Sequence, residues 1–377
     1  MRIGIDARFY GSIGKGLGRY TQRLLKYLEN IARDDEFVIF LRKDNFDDYQ
    51  PLAKNFTKKL ADFPWYSYAE QKNFLGLIKS EKLDLVHYPH FNVPLFTPKP
   101  FVVTIHDLIL THFPTRRATT LGPLKYFIKQ TAYKIVLSRA IQNAKQVLTV
   151  SEFTKQDIQK YFGYDPKKIT VTYEAVDAFP SPPIDDETIL KKLQIAKPYL
   201  LYVGNAYPHK NLEKLIDFMR ALPENRKNLQ MVIVCKPDYF LNRLIDLVDK
   251  SGLRANFRFP GFVPDAELGV LFRQAHAYIF PSFYEGFGIP PLEAMSQGTP
   301  VLSSDAACMK EVLDEAAIYF DPHSTSGMIK ALDTLDQSAN TRQIMIAKGR
   351  QQVSRYSWES LAKTTLDIYH QAKDPKP

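Results

Sequence analysis

Two glutamates, Glu285 and Glu293, stand eight residues apart in the run 280–295, with Gly286 and Gly288 between them. Glycine lets backbone N–H groups come close to a ligand. Pro290 and Pro291 suit the first turn of a helix, and Gly298-Thr299-Pro300 ends that helix after about two turns. Such a helix aims its positive end at the glycine loop, which favours an anion. Carboxylates are poor phosphate ligands, so the two glutamates are expected on hydroxyls, one on a sugar and one on a ribose. The sequence expects Glu285 in the loop and Glu293 in the first helical turn; complementing the helix dipole is the plainer role for Glu293.

Three further clusters fall at the ends of expected strands. Gly11-Ser12-Ile13-Gly14-Lys15-Gly16-Leu17-Gly18 follows the first strand. It fails the dinucleotide pattern because Arg19 stands where the third glycine is needed, but Gly16 still allows backbone approach to an anion. Thr104-Ile105-His106-Asp107 ends a buried strand, and His106 could bond a sugar hydroxyl, polarise a reacting group, or simply be a capped structural histidine. In Gly204-Asn205-Ala206-Tyr207-Pro208-His209-Lys210, a strand gives way to a turn that is expected to put Lys210 at a helix start. A cation there opposes the helix dipole, so it calls for an anionic partner such as a diphosphate, unless it is merely solvated. No D-x-D pair or metal-ligand spacing stands out among His87, His90, His106 and His112. Neither a metal nor a bound cofactor is expected.

These clusters need strands and helices to position them, and the chain alternates the two. Short β-branched apolar runs such as Arg2–Asp6, Phe101–Ile105, Tyr199–Val203, Gln230–Val234 and Ala277–Phe280 read as buried parallel strands, with helical patterns between them. The fold class is α/β, with two doubly wound parallel-sheet domains. The expected boundaries are an N-terminal domain at 1–178, a proline-rich linker at 179–197, a C-terminal domain at 198–356, and a last helix in 357–377 packing back on the N-terminal domain. Ligands in such folds bind at the C-terminal ends of strands, so a shared interdomain cleft is expected. The length of 377 residues suits two domains. Two separated cysteines suit a reducing cytoplasm, and no signal peptide or spanning run is apparent.

The net charge of +9 is uneven. No acidic residue lies between Asp107 and Glu152, yet Arg116, Arg117, Lys125, Lys129, Lys134, Arg139 and Lys145 do. Mixed with Phe127, Ile128 and Tyr133, these cations read either as an interfacial helix facing an anionic membrane or as a solvated helix face. Nucleic acid is not the expected partner, since it leaves the strand-end clusters unexplained.

Taken together, the clusters resemble the retaining glycosyltransferases of family 4, which have the GT-B fold of two facing Rossmann-like domains. Glu285-Gly286-Phe287-Gly288 with Glu293 resembles the family's paired-glutamate motif. Gly16-Leu17-Gly18-Arg19-Tyr20, Ile105-His106-Asp107, Val150-Ser151-Glu152-Phe153-Thr154 and Val176-Asp177 are similar too. The resemblance implies that Glu285 contacts the donor sugar and that the amides of Phe287, Gly288 and Ile289 bind sugar and diphosphate. It implies that Glu293 holds the ribose, Lys210 neutralises the diphosphate and His106 lies near the sugar. One position departs: Asn205 stands where the family has an arginine, and asparagine cannot make that bidentate phosphate contact. His209 or Arg19 could supply the missing charge.

The expected function is hexose transfer, mannose from GDP-mannose favoured over a UDP-sugar, to a glycan or lipid-linked acceptor of cell-envelope polysaccharide. The expected location is the cytoplasm, peripheral on the inner membrane face. A nucleotide-sugar epimerase and a non-catalytic nucleotide-sugar binder are the alternatives.

Overall fold

A computed structural model describes residues 1–11, 15–114, 122–182 and 184–373. Arg116 and Arg117 of the basic block lie outside these residues, as does part of the first glycine turn. The chain forms two compact units, Met1–Glu174 with Ser357–Pro377, and Ala175–Tyr356.

The first unit carries strands β1 (Arg2–Asp6), β2 (Glu36–Leu41), β3 (Phe56–Leu60), β4 (Leu85–Tyr88), β5 (Phe101–Ile105), β6 (Gln146–Thr149) and β7 (Ile169–Val171). They form one all-parallel sheet in the order β3-β2-β1-β4-β5-β6-β7. Every residue of β4 and β5 is buried, as a central parallel strand requires. The helices among them are α1 (Lys15–Ile31), α2 (Leu75–Ser80), α3 (Ile109–His112), α4 (Pro123–Asn143) and α5 (Glu152–Phe162). Ser151 caps α5 by accepting the Thr154 N–H, and Gly163 ends it at φ 60°. A π-helical turn, Glu70–Phe74, leads into α2.

The second unit carries α6 (Asp186–Lys192), β8 (Tyr199–Val203), α7 (Lys214–Ala221), β9 (Gln230–Val234), α8 (Tyr239–Lys250), β10 (Phe257–Arg258), α9 (Asp265–Gln274), β11 (Ala277–Phe280) and α10 (Ile289–Ser296). It continues with β12 (Val301–Ser304), α11 (Met309–Leu313), β13 (Ala317–Phe320), α12 (Thr325–Asp336) and α13 (Ala339–Val353). Its parallel sheet has the order β10-β9-β8-β11-β12-β13. In both sheets the order reverses beside the unit's first strand, which is where ligands enter doubly wound folds.

One expectation about organisation changes. The stretch read as a linker holds α6, whose Ile189 and Leu190 are buried and whose Asp186 is gripped by Arg273 and Gln274. Its prolines hide a short amphipathic helix that belongs to the second unit. The last helix, α14 (Trp358–Ala372), belongs to the first unit and packs on α1, β5 and β6. Its Tyr369 hydroxyl meets His87 Nδ1 at 2.6 Å, and its His370 meets Asp35 at 2.7 Å. No helix among the described residues is long and apolar enough to cross a membrane.

Candidate active site

Strands β8 and β11 are neighbours at the point where the second sheet reverses, with Ala277 opposite Leu200 and Tyr278 opposite Leu201. The loops leaving these two strands carry most of the second unit's candidate residues. Gly204 follows β8 at φ 149°, and its N–H still bonds the Val234 carbonyl at 3.0 Å. A Cβ there would lie 2.9 Å from the Tyr202 hydroxyl, which donates to the Asn205 carbonyl at 2.9 Å. Tyr278 donates to the Val203 carbonyl at 3.2 Å, so two buried tyrosines hold the strand exit from below.

Lys210 closes a 3-10 turn, Pro208–Lys210, and stands four residues ahead of α7. It is therefore not at a helix start, and the dipole argument for an anionic partner fails. Its partner is Glu285: the Lys210 Nζ donates to both carboxylate oxygens, at 2.7 and 2.8 Å. Both side chains are largely covered, at 15% and 9% relative exposure, so the pair is mostly desolvated. Asn211, at φ 58°, ties this turn to the carbonyls of Pro281 and Pro322 at 3.1 and 2.8 Å. The Phe283 N–H closes the clasp on the His209 carbonyl at 2.8 Å.

The loop from β11 runs through Gly286 and the buried Phe287 to Gly288, which caps α10 in the left-handed region at φ 88°. Ile289, Pro290 and Pro291 form the first turn of α10. Glu293 is its fifth residue, so it lies in the second turn, and it is buried. Behind the loop, the buried Cys308 thiol reaches the carbonyls of Glu285 and Phe287 at 3.3 and 3.4 Å. Burial pushes that thiol well above its usual pKa, so it is a neutral clip. Neither Cys308 nor Asn211 carried a sequence signal, since each acts through distant backbone carbonyls.

His209 is nine-tenths covered, and burial beside the Lys210 charge holds its pKa down to about 4. It is neutral at pH 7 and cannot supply the charge that arginine would bring at position 205. The Asn205 side chain turns onto its own loop, accepting the Tyr207 N–H at 3.4 Å.

In the first unit, His106 follows β5. Its Nε2–H donates to the Pro89 carbonyl at 2.9 Å, and its Nδ1 faces Glu174 Oε1 at 3.4 Å. Tyr20 packs edge-on against the ring, with centroids 4.6 Å apart. The tautomer and the ring plane are thus set by protein groups. Asp107 caps α3 through the Ile109 N–H at 2.9 Å. Gly16 lies inside the first turn of α1, not in a loop, and a Cβ there would meet nothing. The glycine that sterics require is Gly18, whose Cβ would strike the Gly11 and Phe9 carbonyls at 2.0 and 2.5 Å. Among the described residues, no group of three His, Cys, Asp or Glu side chains is arranged to hold a metal ion.

Comparisons with known proteins agree with this architecture. Residues 14–178 match the family model described as Glycosyltransferase Family 4, and residues 185–352 match Glycosyl transferases group 1. O-antigen chain mannosyltransferase B of Escherichia coli is 28% identical over 373 residues, covering 94% of this chain and 95% of its own. O-antigen chain mannosyltransferase RfbU of Salmonella typhimurium is 29% identical, covering 93% and 94%. Among solved structures, HepE of Anabaena in complex with UDP-glucose superposes with a TM-score of 0.74 at 15% identity, covering 98% of this chain and 99% of that one.

Proposed function

We propose that this chain, which belongs to glycosyltransferase family 4 with its GT-B fold, moves mannose from a nucleotide sugar to a growing cell-envelope polysaccharide. The observation that carries the reading is the Lys210–Glu285 pair beside the left-handed Gly288 loop, at the point where the second sheet reverses. The sugar identity is supported by the two full-length relatives, both named as O-antigen mannosyltransferases. A nucleotide-sugar donor is supported by the UDP-glucose held by the structural relative. GDP-mannose is the preferred donor, and the first unit takes the acceptor.

The chemistry follows from the geometry. An ammonium has three N–H donors, and Glu285 engages two of them. The third is left for a phosphate oxygen, so one lysine can bridge the leaving diphosphate and the residue facing the sugar. The loop amides from Phe287 to Ile289 and the N-terminal end of α10 add fixed dipoles where negative charge develops. A carboxylate held twice by an ammonium is a weak nucleophile. This favours attack by the acceptor hydroxyl on the face the diphosphate leaves, with a departing phosphate oxygen taking its proton. Glu293 bonds the ribose, and His106, oriented by Pro89 and Glu174, is the first unit's candidate for a sugar contact.

The exposed faces of α3 and α4 suit an anionic bilayer. Leu110, Phe127, Ile128 and Ile135 are 41%, 69%, 59% and 47% exposed, interleaved with exposed Lys129, Lys134 and Arg139. Gln130 and Tyr133 of α4 hold α3 in place through Leu110 and Thr111. These exposed faces support a peripheral position on the cytoplasmic side of the membrane.

A thermal-shift panel of nucleotide sugars tests the donor, because a bound ligand raises apparent stability with its affinity. GDP-mannose should give the largest shift, and NMR of the transfer product should show the donor's anomeric configuration kept. Lys210→Ala should lower transfer by about two to three orders of magnitude, as loss of an electrostatic stabiliser does. A wild-type rate in that variant, or an inverted product, would refute the mechanism.

A further inference from the structure

Four neighbouring strands of the first unit bring side chains from their C-terminal ends into one row. The sheet order β3-β2-β1-β4 sets these exits side by side. Trp65 follows β3, Arg42 follows β2, Phe9 follows β1 and His90 follows β4. Phe9 stacks on Trp65 with centroids 4.3 Å apart and planes 8° from parallel, and His90 lies against Phe9 at 4.9 Å. Phe91 extends the row beyond His90, at 4.1 Å. Trp65, Phe9, His90 and Phe91 are each only partly buried, so the row keeps an open aromatic edge. Ligands of doubly wound folds bind at this end of the strands.

A buried charge network ties three of the same loops together. Arg8 donates to both oxygens of Asp6 at 2.8 Å, to Glu70 at 2.6 Å and to the Phe63 carbonyl at 3.3 Å. Glu70 in turn accepts the Asn92 amide and the Tyr66 N–H, both at 2.8 Å. Arg8, Asp6, Glu70 and Asn92 are all buried. Buried ion pairs add little net stability. What this one fixes is loop geometry: Tyr66 is held at φ 58°, a conformation that bulky side chains rarely adopt, with 61% of its surface exposed. A surface set in advance binds without the cost of ordering it.

Two ring N–H groups in the row are unspent among the described residues. His90 Nδ1 accepts the Asn92 N–H at 3.3 Å, and desolvation keeps the imidazole neutral at pH 7. The ring proton is therefore on Nε2, which bonds no described residue. The Trp65 indole N–H is buried and likewise unbonded. Arg42, the cation of the row, rests on the Trp65 ring at 4.8 Å and is tied to Asp62 and Asp44 at 3.4 and 3.6 Å. Rings with neutral donors and a neutralised cation suit a polyhydroxylated, uncharged ligand, unlike the lysine-bearing aliphatic face of α3 and α4. We propose that this row is a pyranose subsite for the saccharide acceptor: the apolar C–H face of the sugar packs on the open edge of the row and on Tyr66, and His90 Nε2–H donates to one of its hydroxyls. The assignment rests on the polysaccharide reading and names residues which that reading does not contain.

Saturation-transfer NMR and isothermal titration of the full chain with a linear mannotriose test this, alongside the thermal shift given by GDP-mannose. The wild-type chain should transfer saturation to the C–H protons of the sugar. His90→Phe, which keeps a ring and loses the donor, should weaken mannotriose binding about tenfold, the loss of one hydrogen bond. His90→Gln, whose amide nitrogen reaches close to the Nε2 position, should restore most of it. Tyr66→Ala should weaken binding severalfold, and because that side chain is exposed it decides the matter should His90→Phe fail to fold. All three variants should keep the GDP-mannose shift. Mannotriose affinity within twofold of wild type in both His90→Phe and Tyr66→Ala, or a donor shift that falls in step with it, overturns the subsite and leaves the donor reading standing. So does a wild-type chain that binds the donor and no mannotriose. A wild-type chain that binds neither overturns both.

Discussion

Lys210 and Glu285 limit each other. Paired, each fixes the other's side chain, and neither can act as an isolated charge. Burial decides the histidines in a similar way. His87 is fully buried between the Tyr369 and Thr104 hydroxyls, at 2.6 and 2.8 Å, and burial holds its pKa down to about 3. His90 and His209 are lowered in the same way, to about 3 and about 4. The unfolded chain protonates each of them near its ordinary value of 6.5, while the folded chain resists. Stability is therefore full above about pH 6.5 and declines as pH falls toward 3, by up to about 1.4 kcal/mol per pH unit for each histidine. His87→Gln should flatten this slope. Urea melts at pH 7 and pH 5 would show it, and identical pH slopes in both proteins would contradict the account. The sequence singled out Lys210 and Glu285 as chemically active, but gave no sign that they hold each other or that His209 is uncharged.

At the scale of elements, the α10 loop depends on its left-handed cap. Gly288 has φ 88°, and a Cβ there would lie 2.7 Å from the Met309 methyl. Gly288→Ala should cost about 1–2 kcal/mol in backbone strain alone. It should also displace the amides of residues 287–289, so the thermal shift given by a nucleotide sugar should shrink by more than the loss of stability explains. An unchanged donor affinity would show that those amides do not bind it. Strands with continuous apolar runs were legible, among them β1, β5, β8, β9 and β11, because burial on both faces leaves one unambiguous pattern. β3 was not: it is an edge strand, Phe-Thr-Lys-Lys-Leu, with one buried residue and lysines that suit an unpaired edge. Helix α6 was hidden because Pro180, Pro182 and Pro183 beside it dominate the local composition.

For the molecule as a whole, charge asymmetry makes the clearest prediction. Co-sedimentation with vesicles should rise with the fraction of anionic lipid and fall with salt, since each lysine or arginine near such a surface contributes about 1 kcal/mol. Substituting Phe127 and Ile128 with serine should weaken it without lowering donor binding by the second unit. Binding that ignores lipid charge would count against the α3–α4 face. The alternation of strands and helices, the doubly wound class and the glycine–proline loop were determined by sequence alone, because each is written in local periodicity and in the backbone limits of glycine and proline. Partnership was decided only in three dimensions. Lys210 and Glu285 are 75 residues apart, and Tyr369 and His87 are 282 apart. What brings such residues together is strand order and the return of the last helix, and no local pattern encodes either. Which charges are paired, neutral or left for a ligand follows from that burial, not from residue type.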